Sequence, residues 1–387
     1  MMGCLGNKQA FHLMDPVDKE TIYLTRLRPV KLINPDNGFK LDERSLKVMN
    51  DHLNILLKEH QVEIGIPNFK VNLYDFIVFV ETIFMYWRNI DSGYSKDAEK
   101  IKQMFPLFYD QFKKFRIEAY MQIDRLTSMI GWLYSDMLHQ LFWIENERFS
   151  DRNNPKTIYF NNYFIHSVKP ECVSLEIDGH KRIVYRLGCG ITGEGICWLN
   201  IVPEQLGFHG ILSKVPIQIY IQAHTLERMK ERLGYLFDFY YLMNMVPSFL
   251  DPEFYKADDG NLLIAYKMNS KKYGYFKADI IGDKLLLRTF LFLTNDGTPE
   301  GKKLARLLGI QKEDKKYLGI DKYEFFIKSD FENNEKLKAV FHEAGCGHLF
   351  ELKEQLKNNT TFQLKNTDYI SRYLGLDEKK KEKELEN

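Results

Sequence analysis

The stretch Ile217-Gln218-Ile219-Tyr220-Ile221-Gln222 alternates apolar and polar side chains, and Ala223-His224-Thr225-Leu226-Glu227-Arg228-Met229-Lys230-Glu231-Arg232-Leu233 follows it directly. Alternation with a period of two marks a strand, whereas apolar residues three and four apart mark an amphipathic helix. In the second half Leu226, Met229, Leu233, Leu236, Phe237 and Tyr240 share one face. His224, Arg228 and Arg232 share the opposite one, so the helix presents an imidazole and two guanidinium groups together. Pro247 and Pro252 close this helical region. Three strands are then expected at Leu262–Met268, Tyr273–Ile281 and Lys284–Thr294, joined by Asn269-Ser270 and Gly282-Asp283. Between Leu262 and Arg306 nine Lys or Arg stand against four Asp or Glu, which makes a local basic surface. A strand, a helix and a meander give an α+β module over 215–330.

This arrangement resembles the small toxin-like domains of the RelE superfamily, especially the subgroup whose first helix begins His-x-x-x-Arg-x-x-x-Arg. In that subgroup a strand meander follows the helix, and its last strand often carries a valine– or arginine–threonine step like Arg288-Thr289. The resemblance covers about eighty of the 387 residues. It implies a nucleic-acid-directed module, with RNA as partner and metal-independent cleavage through the ribose 2′-hydroxyl, without a cofactor. Carried over, the catalytic candidates are His224, Arg228, Arg232 and Arg288. His224 would exchange a proton near neutral pH, and the three arginines would clamp phosphate oxygens. Such toxins are usually small, stand-alone and basic, whereas this module sits in a large neutral chain. The alternative is that Arg228 and Arg232 pair with Glu227, Glu231 or neighbouring acids. The protein would then be a non-catalytic interaction or structural protein, meeting a protein partner through its helical N-terminal region.

Outward from this module, residues 1–40 are punctuated by Pro16, Pro29, Pro35 and Gly38 and read as an arm with a short strand at Thr21–Leu24. Residues 41–150 read as an antiparallel helical bundle. Leu46, Met49, Leu53, Leu56 and Leu57 define one helix capped by Asp42. Leu73–Trp87, capped by Asn72, is apolar nearly all round and so belongs at the centre. Further helices are expected at Lys96–Phe115, broken near Pro106, and at Ile117–Ile144, with Trp87, Trp132 and Trp143 in the core. Residues 155–210 turn β-rich, with strands at Thr157–Phe160, Cys172–Ile177, Arg182–Leu187 and Ile196–Ile201 and a hairpin turn at Asp178-Gly179. Beyond 330, a helical C-terminal cap at Asn334–Phe341 and a solvated charge run, Glu378–Glu384, complete the chain.

Three further motifs carry chemistry of their own. Gly188-Cys189-Gly190-Ile191-Thr192-Gly193 fits GxGxxG, but the strand-like Ile196-Cys197-Trp198-Leu199 follows where a phosphate loop needs a helix. A bulged hairpin turn accounts for it better. His342, Cys346 and His348 are zinc-ligand types in a short span, yet Gly345 and Gly347 break a helix there. A glycine C-cap with a buried Cys346 explains the same residues, and no metal is called for. Thr298-Pro299 suits a helix start, where Lys302 and Lys303 could accompany a bound anion.

Composition sets the outer limits. With 44% apolar and 14% aromatic residues the chain can build two or three cores, and 28% charged residues with a net charge of +1 describe an ordinary surface. A global attraction to nucleic acid or anionic lipid is absent. The five cysteines are irregularly spaced with no CxxC pair, which favours a reducing, cytoplasmic setting. No apolar stretch is long enough to span a bilayer, so no membrane partner is expected. Met2-Gly3-Cys4 is like an acylation start, but Met1 and the lack of a following serine or threonine argue against one.

Overall fold

The computed structural model describes residues 8–14, 16–24, 27–64, 70–89, 96–104, 108–148, 161–234, 238–257, 260–329 and 334–351. The expected strand at Thr157–Phe160, the segment around Met2-Gly3-Cys4 and the charged tail lie outside the described residues. The fold is α+β, and the chain forms two compact units. Unit 1 takes residues 1–135, 140–168 and 189–197; unit 2 takes 136–139, 169–188 and 198–387. The β-rich stretch after residue 155 is therefore divided between the two units.

In unit 1 the helices are α1 (Lys8–Leu13), α2 (Pro16–Leu24), α3 (Glu43–Glu59), α4 (Leu73–Asp75), α5 (Thr82–Asn89), α6 (Ala98–Gln103) and α7 (Phe108–Tyr134). A π-helical stretch, Phe76–Glu81, joins α4 to α5. The caps read from sequence are formed: Ser45 N–H donates to Asp42 at 2.9 Å, and Asp75 N–H donates to Asn72 at 2.8 Å. Strands β1 (Lys31–Ile33), β4 (Leu141–Arg148) and β5 (Asn161–Val168) form a sheet in the order β1-β5-β4, and β2 (Gln61–Glu63) pairs with β3 (Lys70–Asn72). Met49, Leu53, Leu57, Phe76, Ile77, Ile123, Ile130, Ile144, Tyr163 and Ile165 make one buried core.

Two expectations are corrected here. Thr21–Leu24 belongs to α2, because Pro16 presets the first helical turn and helix propagates from it. The helix expected to reach Ile144 stops at Tyr134. Asp136 accepts from Leu138 N–H at 2.8 Å and turns the chain, after which Leu141–Arg148 pairs antiparallel with β5. A short apolar run does not distinguish helix from buried strand by period alone. The described residues between 41 and 148 are thus mainly helices closed by a small sheet, with a strand lent by the N-terminal arm.

Unit 2 holds β6 (Cys172–Ile177) and β7 (His180–Arg186), whose turn places Asp178 and Gly179 at φ of 51° and 75°. The hairpin β8 (Gly188–Ile191) and β9 (Gly195–Trp198) then lies almost wholly in unit 1. Unit 2 resumes with β10 (Asn200–Ile201), β11 (Ile217–Gln222), α8 (Ala223–Leu233), α9 (Asp238–Leu250), β12 (Phe254–Lys256), β13 (Leu262–Met268), β14 (Lys271–Ile281) and β15 (Lys284–Phe292). Among the described residues four short α-helices follow: α10 (Pro299–Leu308), α11 (Lys312–Leu318), α12 (Tyr323–Lys328) and α13 (Glu335–Glu343). The sheet runs β12-β13-β14-β15-β11-β7-β6, with β10 on β11. Among the described residues of this sheet only the β11–β15 pairing is parallel. Crossing from β11 through α8 and α9 to the meander brings β15 back beside β11 in the same direction.

Candidate functional site

Helix α8 packs on β15. Thr225, Leu226, Met229 and Leu233 are buried, and the Thr225 hydroxyl donates to the Leu287 carbonyl at 2.9 Å. The pleat alternates Ile219, Ile221, Leu285 and Leu287 with Tyr220 and Leu286. Tyr220 and Leu286 pack with Ile177, Val184, Val173, Leu175 and Ile281 in a small cluster that contains no residue of α8. That cluster therefore marks the sheet face opposite the helix.

On the outer face of α8, Arg228 Nε donates to His224 Nε2 at 3.4 Å, and His224 Nδ1 lies 3.6 Å from Glu227. Arg228 also forms an ion pair with Glu231, whose second oxygen stands 3.9 Å from Lys322 Nζ. Burial pushes the Glu231 carboxyl up, but the Arg228 hydrogen bond and the charges of Arg232, Arg228 and Lys322 outweigh it and hold it below the ordinary value. Arg232 turns away from this row. Its side chain is 14% exposed and pairs with Asp321, which is 7% exposed, while also donating to the Asp321 carbonyl at 3.3 Å. Arg232 Nε and the other Asp321 oxygen, Oδ1, are buried without hydrogen-bond partners.

Arg288 sits where the β14–β15 register slips, since Lys277 faces Thr289 and Ala278 faces Leu287. It is the extra residue of a β-bulge. Its guanidinium donates to Asp279 at 2.9 Å and pairs with Asp178 at the β6–β7 turn. Asp279 is opposite Leu286, so it belongs to the face away from α8, and Arg288 reaches it there. The structure thus brings His224 and Arg228 together, turns Arg232 onto Asp321, and puts Arg288 on the other side of the sheet. Of the nine cations between Leu262 and Arg306, Lys267, Lys271, Lys272, Lys284 and Arg288 each hold a carboxylate.

The three other motifs are accounted for by local structure. In α13 the Gly345 N–H donates to His342 O at 3.0 Å and Cys346 N–H to Phe341 O at 2.8 Å, with Gly345 at φ +87°. This is a Schellman end to the helix, and it buries Cys346 completely. His348 Nε2 contacts the Lys272 carbonyl at 2.5 Å. Among the described residues no group of three His, Cys, Asp or Glu is placed to hold a metal ion. The GxGxxG segment is the β8–β9 hairpin, with Thr192 N–H donating to Ser128 at 2.9 Å and Trp132 Nε1 to Gly190 O at 2.5 Å. Thr298 caps α10 through Gly301 N–H at 2.9 Å.

What the sequence did not reveal is the buried cation near that cap. Lys315 is 2% exposed; its ammonium donates to Thr294 O at 3.0 Å and Gly301 O at 2.6 Å and pairs with Asp296. A second network joins Lys272 to Glu253 at 2.7 Å, Glu300 at 2.9 Å and the Tyr275 hydroxyl at 2.7 Å. No sequence signal pairs partners so distant along the chain. Among the described residues no helix is long and apolar enough to cross a membrane. No family model, curated protein or solved structure matches the chain.

Proposed function

We propose that the α8-bearing module is a non-catalytic interaction module. The observation that carries this reading is the engagement of its arginines: Arg228 by Glu231, Arg232 by the buried Asp321, and Arg288 by Asp178 and by Asp279 on the opposite face. A phosphate clamp needs guanidinium groups that converge on one open site, and a transition state is stabilised only by groups already aimed at it. Unit 2 also leaves the outer edge of β6 without a strand partner among the described residues, and such an edge is a surface that a protein can recognise.

A specific observation favours the second reading, a RelE-like module directed to RNA. Its support is the order strand, helices and antiparallel meander β12–β15, together with the exposed His224–Arg228 pair. Purified full-length protein, mixed with single-stranded RNA in chelator at low and moderate salt, separates the two. The interaction reading expects neither cleavage nor salt-sensitive binding. Cleavage that disappears in His224→Ala and Arg228→Ala would overturn it and establish the ribonuclease.

A further inference from the structure

The GxGxxG segment, folded as a hairpin, sets two cysteines face to face. β8 (Gly188–Ile191) and β9 (Gly195–Trp198) are four residues each and pair as a two-stranded sheet across residues 192–194. Leu199 N–H donates to the Leu187 carbonyl at 2.9 Å, which places Leu187 opposite Leu199 and, counting inward, Cys189 opposite Cys197. The Gly190 carbonyl points out of the hairpin, where Trp132 Nε1 donates to it at 2.5 Å. The pairs on either side of Gly190, Cys189–Cys197 among them, are therefore the hydrogen-bonded ones. Opposite residues of an antiparallel pair project to the same side, and a hydrogen-bonded pair holds its Cα atoms about 5.5 Å apart. A disulfide spans Cα separations of about 4.4–6.8 Å.

The pair is held in place within unit 1. Thr192 N–H donates to Ser128 Oγ at 2.9 Å and Gly193 N–H to Ile144 O at 2.8 Å, so the hairpin tip is tied to α7 and β4. A Cβ on Gly190 would meet the Phe142 carbonyl, which puts Cys189 and Cys197 on the side of the hairpin turned from that backbone. Cys197 is exposed, whereas Cys189 is 1% exposed. Burial raises the Cys189 thiol, and negative charge on Cys197 raises it further, as sulfurs within electrostatic reach require. Cys172, also exposed, faces Tyr185 on β7 rather than a thiol.

We propose that Cys189 and Cys197 are a site of oxidation by peroxide, Cys197 being attacked first and Cys189 closing a reversible cross-strand disulfide. The Cys197 thiolate attacks one oxygen of hydrogen peroxide, the O–O bond breaks, and the other oxygen leaves as hydroxide, which is protonated to water. Cys197 is then a sulfenic acid. The Cys189 sulfur displaces the hydroxyl group from the Cys197 sulfur, and that group takes up the Cys189 proton and leaves as water. Two thiols and one hydrogen peroxide become one disulfide and two waters. Cys189 needs no contact with solvent, because its reaction partner stands across the strand pair. The exposure of Cys197 leaves the bond open to exchange with a thiol reductant, which makes the oxidation reversible.

The test treats the full chain with a small excess of hydrogen peroxide, alkylates it in denaturant with N-ethylmaleimide, and maps the peptides by mass spectrometry. A hairpin lighter by two hydrogens is expected, with neither Cys189 nor Cys197 alkylated and its two halves still joined after cleavage at Glu194. Dithiothreitol should restore both thiols. With dimedone present during oxidation, Cys197 should carry about tenfold less adduct in the parent than in Cys189→Ala, because the facing thiol captures the sulfenic acid first. Should Cys189→Ala fold poorly, the parent's linkage map decides alone. The proposal is overturned if Cys197 ends as a sulfinic acid, or joined to Cys172 or to a second chain, while Cys189 stays alkylatable. It is equally overturned if both thiols survive the peroxide.

Discussion

Arg228 and Arg232 stand one turn apart on the same helix and occupy different physical settings. Arg228 pairs with Glu231 in partial solvent, where an ion pair contributes little. Arg232 and Asp321 are largely withdrawn from water, where losing one partner strands the other. Arg228→Ala should therefore change stability by less than about 0.5 kcal/mol, and Arg232→Ala should cost on the order of 2 kcal/mol, both read from urea unfolding. Equal effects would show that Asp321 is solvated. The cysteines divide in the same way. Burial raises the thiols of Cys189 and Cys346 to about 12, whereas Cys172 and Cys197 are exposed. Iodoacetamide at neutral pH should label Cys172 and Cys197 quickly and reach Cys189 and Cys346 only after unfolding, as peptide mass spectrometry would show.

At the scale of elements, two contacts hold segments that propensity alone would leave loose. The β8–β9 hairpin lies against β4 so closely that a Cβ on Gly190 would meet the Phe142 carbonyl and come within 2.8 Å of Trp143 Cα. Backbone cannot yield as a side-chain tip does, so Gly190→Ala should destabilise the protein by about 2 kcal/mol or more in thermal or urea unfolding. An unchanged midpoint would mean the hairpin can lift. Lys315 ties α11 to the turn at Thr294–Asp296 and to the first turn of α10. Lys315→Met keeps the apolar stem but leaves two buried carbonyls without their donor, and a loss of about 1–3 kcal/mol is expected. Calorimetry that finds Lys315→Met as stable as the parent would remove this role from the lysine.

For the whole molecule, the near-neutral charge of +1 means that local pairing, rather than a global field, sets the response to pH and salt. Burial raises the Glu231 and Glu253 carboxyls, but hydrogen bonds and charge from Arg228 and Arg232 in the first case, and from Lys272 and Lys267 in the second, bring both below the ordinary 4.5. A folded-state value below the unfolded one means that the unfolded chain binds the proton more readily. Stability is therefore full above the ordinary glutamate range and is lost as pH falls through the folded-state values. The urea midpoint should stay level from neutral pH down to about pH 5 and drop below it, and Glu253→Gln should make that drop shallower. A drop of equal steepness in that variant would exclude Glu253 as a contributor.

Much of this fold is written locally. The period-two run Ile217–Gln222 and the helical spacing after it became β11 and α8, and Asp42, Asn72 and Thr298 cap the helices they precede. Asp178-Gly179 and Asn269-Ser270 carry the positive φ values that hairpin turns need. These features depend on neighbours within a few residues, so sequence suffices for them. The division into two interleaved units, the strand at Leu141–Arg148 and the seat of each site residue depend on partners far along the chain. That Arg232 would meet Asp321, that a bulge would turn Arg288 towards Asp279 and Asp178, and that Asn50 would cover the edge at Leu32 were decided only when burial and register brought those segments together. A sequence pattern names which side chains share a helix face. Which carboxylate waits opposite that face is settled by tertiary packing alone.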